Sequence, residues 1–394
     1  MSSGMNVRLG QKGGTQYLPL SAVAPLVRRE IAIDSNATYT ELGVRSFNKG
    51  TFHRRTVTGA EFTWQGLYRI NKDDLVFSNI MAWEGAVAMA KPEDDGCIGN
   101  HRMLTCACDR TRVAPAYLAH YFTTSEGMAK LVAASTGTVA RNRTLTATAL
   151  GKIEVPVPAL EIQERIVEHM QVLAGKALNI NDHLGAVEAD AERLLAVRFR
   201  DAISDAPLRT MATVAPLVRR EEEIDLEGSY LELGVRSFGK GTFHKPPLAG
   251  AEVGTKRLFR IEAGDLLFSN VFAWEGAIAI ARQVDAGRFG SHRFMSCVAD
   301  ESITSAEFLR YFFLTNVGLA KISEASPGGA GRNRTLGLEK LMAIEVPLPS
   351  LDVQRTFNAL QARIAELKAK HAAIREANQA LVPSTLERVF AASA

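Results

Sequence analysis

This sequence has little that points to a membrane, a metal or a catalytic centre. No run of apolar residues approaches the ~18 needed to cross a bilayer. The first residues, 1–16, are polar and glycine-rich and lack the apolar centre of a signal peptide. A cytoplasmic protein with no membrane partner is therefore expected. Charge of one sign is also missing: Lys plus Arg is 46 against 43 for Asp plus Glu, a net +3. That excludes a uniformly basic coat and leaves room only for a local basic face. No Cys-x-x-Cys occurs, and no glycine-rich phosphate loop or nucleophile elbow is present. No acid–base pair stands out by spacing, so neither catalytic nor metal-ligating residues are expected.

What the chain does have is a copy of itself. Arg141-Asn142-Arg143-Thr144-Leu145 returns unchanged as Arg332-Asn333-Arg334-Thr335-Leu336, 191 residues later. The same offset links Gly43-Val44-Arg45-Ser46-Phe47 to Gly234-Val235-Arg236-Ser237-Phe238, and Ala82-Trp83-Glu84-Gly85-Ala86 to Ala273-Trp274-Glu275-Gly276-Ala277. Residues 24–163 match 215–354 without insertion or deletion, with about half the positions identical. A repeat this long is a duplicated domain, because solenoid units run to only ~20–50 residues. Of the four cysteines, Cys97, Cys106, Cys108 and Cys297, only Cys106 has a copy, in Cys297. A disulfide framework would have been duplicated with the rest, so reduced thiols are expected. Zinc is disfavoured in the same way, since Cys108 is matched by Ala299.

Short strand-like pieces bounded by turn signals, followed by two helical stretches, predict an α+β domain with an antiparallel or mixed sheet. The expected layout is a leader (residues 1–17), a first globular domain (18–158), a helix (159–205), a second globular domain (206–349) and a second helix (350–394). In the first helix Ile166, Met170, Leu173, Ala177, Ile180, Leu184, Val187, Ala191 and Leu194 form a heptad seam. Its 29 residues span about 43 Å at ~1.5 Å per residue. The second seam runs through Phe357, Leu360, Ile364, Leu367, His371, Ile374, Asn378 and Leu381, with Pro383 expected to kink or end the helix. The two helices are expected to pair antiparallel, giving a pseudo-two-fold internal duplication. Pairing with another chain, or simple docking of each helix on its own domain, is the alternative.

Polar residues that survive duplication are informative within one chain. Arg45, Ser46, Lys49 and His53, copied as Arg236, Ser237, Lys240 and His244, surround glycines and Phe47, Phe52, Phe238 and Phe243. A cationic glycine loop of this kind can meet phosphates or base edges; a hairpin with a solvated tip is the structural alternative. Arg141, Asn142, Arg143 and Thr144, copied as Arg332, Asn333, Arg334 and Thr335, follow small residues. Arg suits guanine O6 and N7, and Asn suits adenine N6 and N7; the alternative is an Arg pinned by a carboxylate. Asn79 and Asn270 precede the Trp-Glu-Gly turns, in which each Trp is expected in the core. Arg102 and Arg293 follow His101 and His292, for which a buried hydrogen-bonded histidine is expected. All twenty of these Arg, Ser, Lys, His, Asn and Thr positions, apart from His101 and His292, are candidate DNA contacts.

Val155-Pro156-Val157-Pro158-Ala159-Leu160-Glu161-Ile162-Gln163 and Val346-Pro347-Leu348-Pro349-Ser350-Leu351-Asp352-Val353-Gln354 lead into the two helices. These stretches resemble the helix entrances of the specificity (S) subunits of type I restriction–modification systems; the second departs at Thr356-Phe357. The resemblance covers nearly the whole chain. It implies two target recognition domains that read a bipartite double-stranded DNA site, with helices as spacer and dock for two modification (methyltransferase) subunits. It implies no cofactor in this chain: S-adenosylmethionine belongs to the methyltransferase, and ATP and Mg to a restriction (translocase and endonuclease) subunit. Similar domains in inverted orientation imply a nearly palindromic target, with half-site centres on the order of 12 base pairs apart at 3.4 Å per pair. A stand-alone DNA-binding regulator, or a nuclease or hydrolase with duplicated sites, are the competing readings.

Overall fold

The computed structural model describes residues 14–62, 66–137, 143–328 and 334–393. The chain divides into two compact units, one up to Leu184 and resuming at His371, the other from Gly185 to Lys370. Both long helices, Leu160–Ile203 and Leu351–Ser393, cross the division.

In the first unit a three-stranded sheet runs Val87–Met89, Leu75–Ser78, Met103–Cys106. A four-stranded sheet runs Thr51–Thr58, Thr38–Val44, Ile98–Gly99, Tyr68–Arg69. All pairings are antiparallel except Glu41 with Ile98, so the second sheet is mixed. The second unit repeats this with Glu232 parallel to Phe289. Helices Pro115–Tyr121 and Ser125–Ala134 cover the smaller sheet, where Phe77 meets Phe122 edge-on at 5.2 Å. Its copy, Phe268 on Phe313, has the same 5.2 Å separation. Gln16–Pro19 pairs with Glu154–Val157. Gln16 and Tyr17, expected in a leader, therefore belong to the domain.

The Pro-x-Pro strands end in a buried clamp. Gln163 Nε2 donates to the carbonyls of Arg112 and Pro158, and its Oε1 accepts from Ala114 N–H. Gln354 repeats the two donations to Ile303 and Pro349 and accepts from Thr304 Oγ1. Each side chain satisfies loop carbonyls that would otherwise be buried without partners, which fixes where the helix leaves its domain.

Within each unit the helix segments run antiparallel. Asn378 Nδ2 donates to Asn181 Oδ1 in the first unit, and Lys368 pairs with Glu192 in the second. The segments also dock on the globular part. In the first unit Phe390 packs at 5.1 Å from Tyr117 and 5.6 Å from Tyr121. In the second, Phe199 lies 5.3 Å from Phe308 and 4.8 Å from Tyr311. Helix pairing and domain docking thus coexist.

Parts of the expected seam are displaced. Ile180 and Leu194 are exposed, whereas Leu184, Leu195 and Phe199 are buried. On the second helix His371 is buried, as expected of a seam position, while Ile374 is exposed. A strict heptad assumes 3.5 residues per turn, and a straight helix drifts by about 20° per heptad. The buried stripe accordingly slips by one position. Pro383 sits inside the second helix and does not end it, so of the two effects expected of it, termination does not occur.

Candidate nucleic-acid interface

Thr38–Val44 and Thr51–Thr58 form a hairpin whose tip is the first polar cluster. Arg45 N–H donates to Gly50 O at 2.9 Å, closing the tip. The ring of Phe52 lies where a side chain at Gly43 would stand, and the Arg45 guanidinium sits 4.8 Å from that ring. Arg236 lies over Phe243 at 5.1 Å and also donates to Thr242 O. The residue types are thus explained locally: glycine admits the aromatic ring, and the ring carries the arginine.

His53 and His244 are exposed, but each reaches a buried aspartate that sequence reasoning missed. Asp94 is buried and accepts from Thr51 Oγ1 at 2.7 Å and Lys91 N–H at 2.9 Å, with His53 Nε2 at 3.0 Å. Asp285 repeats this with Thr242, Arg282 and His244. Burial would raise the Asp285 carboxyl, but hydrogen bonds from Arg282, Thr242 and His244 outweigh it and hold the group far below the usual carboxylate range. The identity of Asp94 and Asp285 at the common offset was the available signal.

The tip is fastened to the Trp-Glu-Gly turn. Phe47 N–H donates to Glu84 O at 2.7 Å, and Asn48 N–H to Gly85 O at 2.9 Å. In the second unit Phe238 and Gly239 donate to Glu275 and Gly276, both at 2.8 Å, and Ser237 Oγ donates to Glu275 Oε2 at 3.0 Å. Gly85 closes the turn at φ 79°, and a Cβ there would meet Asn48 Oδ1 at 2.9 Å. Trp83 and Trp274 are half-buried, not enclosed in the core as expected. Their indole N–H groups donate to Ile80 O and Val271 O, and Arg143 and Arg334 lie over their rings at 5.8 and 5.5 Å. Arg334 also donates to Ser323 Oγ. No carboxylate among the described residues pins either arginine, so that alternative fails there.

Asn79 joins the remaining clusters through its backbone. Its N–H donates to Arg102 O at 2.8 Å, and its carbonyl accepts from Leu145 N–H at 2.7 Å, next to Thr144. Asn270 makes the same two bonds with Arg293 and Leu336, next to Thr335. In both copies the asparagine Oδ1 is buried with no partner among the described residues. Arg102 and Arg293 are exposed; so are His101 and His292, contrary to expectation. Arg141, Asn142, Arg332 and Asn333 lie outside the described residues.

Arg45, Lys49, Arg102 and Arg143 therefore gather around one tryptophan turn, as do Arg236, Lys240, Arg293 and Arg334. Among the described residues none of these eight takes part in an ion pair. Ion pairs lie elsewhere among the described residues, including Arg29 with Asp74, Arg55 with Glu41 and Arg220 with Asp265. Other cations, such as Arg28 over Tyr68 and Arg219 over Phe259, also lack an ion pair among the described residues. What sets the eight apart is that backbone bonds tie their loops to the Trp-Glu-Gly turn, or to the asparagine that precedes it, in both copies.

Little else in either unit supports bond-making chemistry. Burial pushes the thiols of Cys106 and Cys297 up to about 12, which leaves them protonated. Among the described residues no group of three His, Cys, Asp or Glu side chains is placed to hold a metal ion, and no helix is long and apolar enough to cross a membrane.

No family model matches the sequence, and neither does any curated protein. Solved structures do match. A chain from a structure describing complex assembly and conformational transition of the type I R-M system superimposes with a TM-score of 0.69 at 17% identity, covering 97% of this chain and 98% of that one. The HsdS subunit from Thermoanaerobacter tengcongensis gives 0.63 at 17% identity, covering 98% of both chains. The chain thus has the HsdS-type fold over nearly its full length.

Proposed function

We propose that this chain is the DNA-recognition subunit of a type I restriction–modification complex. Each unit presents one target recognition surface to double-stranded DNA, and the paired helices receive two methyltransferase subunits. The chain performs no catalysis itself. Methyl transfer uses S-adenosylmethionine held by the methyltransferase, and any cleavage uses ATP and Mg in a separate subunit.

The observation that carries this reading is the duplicated set of unpaired cations around Trp83 and Trp274. Arginine and lysine left free beside backbone-anchored loops suit phosphate oxygens and base edges. Because the two sets are nearly identical, the two half-sites are similar, and the target is interrupted and nearly palindromic.

The test is co-expression with a candidate methyltransferase subunit from the same genome. Two methyltransferases per chain, and sequence-specific DNA binding by the assembled complex, support the proposal. Tight specific binding by the chain alone, with no methyltransferase retained, would instead make it a stand-alone regulator.

A further inference from the structure

Among the described residues, the most solvent-exposed Phe, Tyr and Trp side chains are a matched pair. Phe47 is 69% exposed and Phe238 is 74% exposed. Burial does not explain them, since neither ring joins a core cluster. Their backbone is also strained. Phe47 and Asn48 have φ of 60° and 55°; Phe238 and Gly239 have 61° and 64°. Two successive left-handed residues make a primed turn, which favours Asn-Gly, and a bulky side chain in its first position is uncommon. The strain is held from behind by the hydrogen bonds of Phe47 to Glu84 and of Phe238 to Glu275. A residue kept exposed and strained in both copies points to a task outside the fold.

The surroundings indicate which task. Lys49 Nζ lies 5.8 Å from the Phe47 ring centroid, and Lys240 Nζ lies 5.7 Å from that of Phe238. Arg45 and Arg236 stand at the bases of the same tips. An apolar ring flanked by unpaired cations suits a polyanion with an apolar interior, which describes stacked bases inside a phosphate backbone. A protein partner would call for a wider apolar patch. We propose that Phe47 and Phe238 are wedges that enter a base step at each half-site, unstack it and bend the duplex toward its own unit. This rests on the DNA-recognition reading above. Such insertion reads sequence through deformability, because pyrimidine–purine steps open most easily.

The experiment uses the assembled complex and short duplexes carrying its mapped site, with 2-aminopurine placed at successive steps other than the methylated base. Wild type should brighten one step at or beside each half-site. Phe47→Ala should abolish brightening at one half-site and Phe238→Ala at the other, each weakening binding about tenfold or more. Phe47→Gly should lose the brightening yet unfold at a higher temperature than Phe47→Ala, because glycine accepts the left-handed backbone; a merely structural ring would leave both variants below wild type with brightening intact. The proposal is overturned if wild type binds without brightening, if the alanine variants brighten normally, or if they lose the methyltransferase subunits instead. A wild-type complex that binds no DNA overturns the recognition reading as well, whereas binding without brightening overturns the wedge alone.

Discussion

The guanidinium of Arg143 lies 5.8 Å from the ring centroid of Trp83, and no carboxylate among the described residues pairs with it. Arg334 stands over Trp274 at 5.5 Å in the second unit. The ring orients the cation without neutralising it, which keeps the charge available to a ligand.

Replacement of either arginine should therefore weaken DNA binding without unfolding the domain. A bidentate contact to a base contributes about 1–3 kcal/mol of discrimination. Arg143→Ala should relax specificity in one half-site and Arg334→Ala in the other, as read by binding to duplexes mutated one position at a time. Full wild-type binding by both variants would remove these loops from the interface.

Helix pairing offers a sharper test than its mere existence, because adjacent leucines differ. Leu195 is 5% exposed and Leu194 is 43% exposed. Leu195→Ala should cost about 2–5 kcal/mol, the range for a buried leucine, while Leu194→Ala should cost under about 1 kcal/mol. Denaturant midpoints of the two variants decide the matter. The reverse order would restore the strict heptad.

The clamp at the helix entrance should be needed for folding. Gln163→Ala leaves the carbonyls of Arg112 and Pro158 and the Ala114 N–H without their partner. Each buried unsatisfied group costs about 1–3 kcal/mol. A loss of several kcal/mol is expected for Gln163→Ala and for Gln354→Ala, measured by urea unfolding; no loss in either would contradict the clamp.

Acid should weaken the second unit through Asp285. Burial alone would raise this carboxyl, but its hydrogen bonds depress it further than burial raises it. A depressed folded value means that the contribution is complete above the unfolded carboxylate value of about 3.9. It is lost as the pH falls through the folded value. Unfolding midpoints between pH 7 and pH 2 should fall less steeply for Asp285→Asn than for wild type, from a lower starting point at neutral pH. Curves of the same shape would contradict this.

Much of the architecture was legible because the chain carries its own comparison. The 191-residue offset exposed both domains, and polar residues shared by the copies marked all four clusters. Their convergence was not legible. It depends on backbone bonds such as Asn79 N–H to Arg102 O and Phe47 N–H to Glu84 O, which any side chains can make. The bond of His53 to Asp94 was hidden for a related reason, since the two lie 41 residues apart. The seam was misplaced at Leu194 because small errors in helical period accumulate along a long helix, whereas drift does not explain Ile180, which is exposed between the buried Ala177 and Leu184. Phe47 does not stand out in the sequence, and its exposure together with a φ of 60° distinguishes it.

The most direct measurement is a genome-wide map of methylated bases in cells carrying the candidate methyltransferase, with and without this chain. The account predicts methylation that depends on the chain, at one interrupted motif with two similar half-sites in inverted orientation. Methylation unchanged by loss of the chain would contradict its role as the recognition subunit. Two unrelated half-sites would contradict the symmetry inferred from the duplicated clusters.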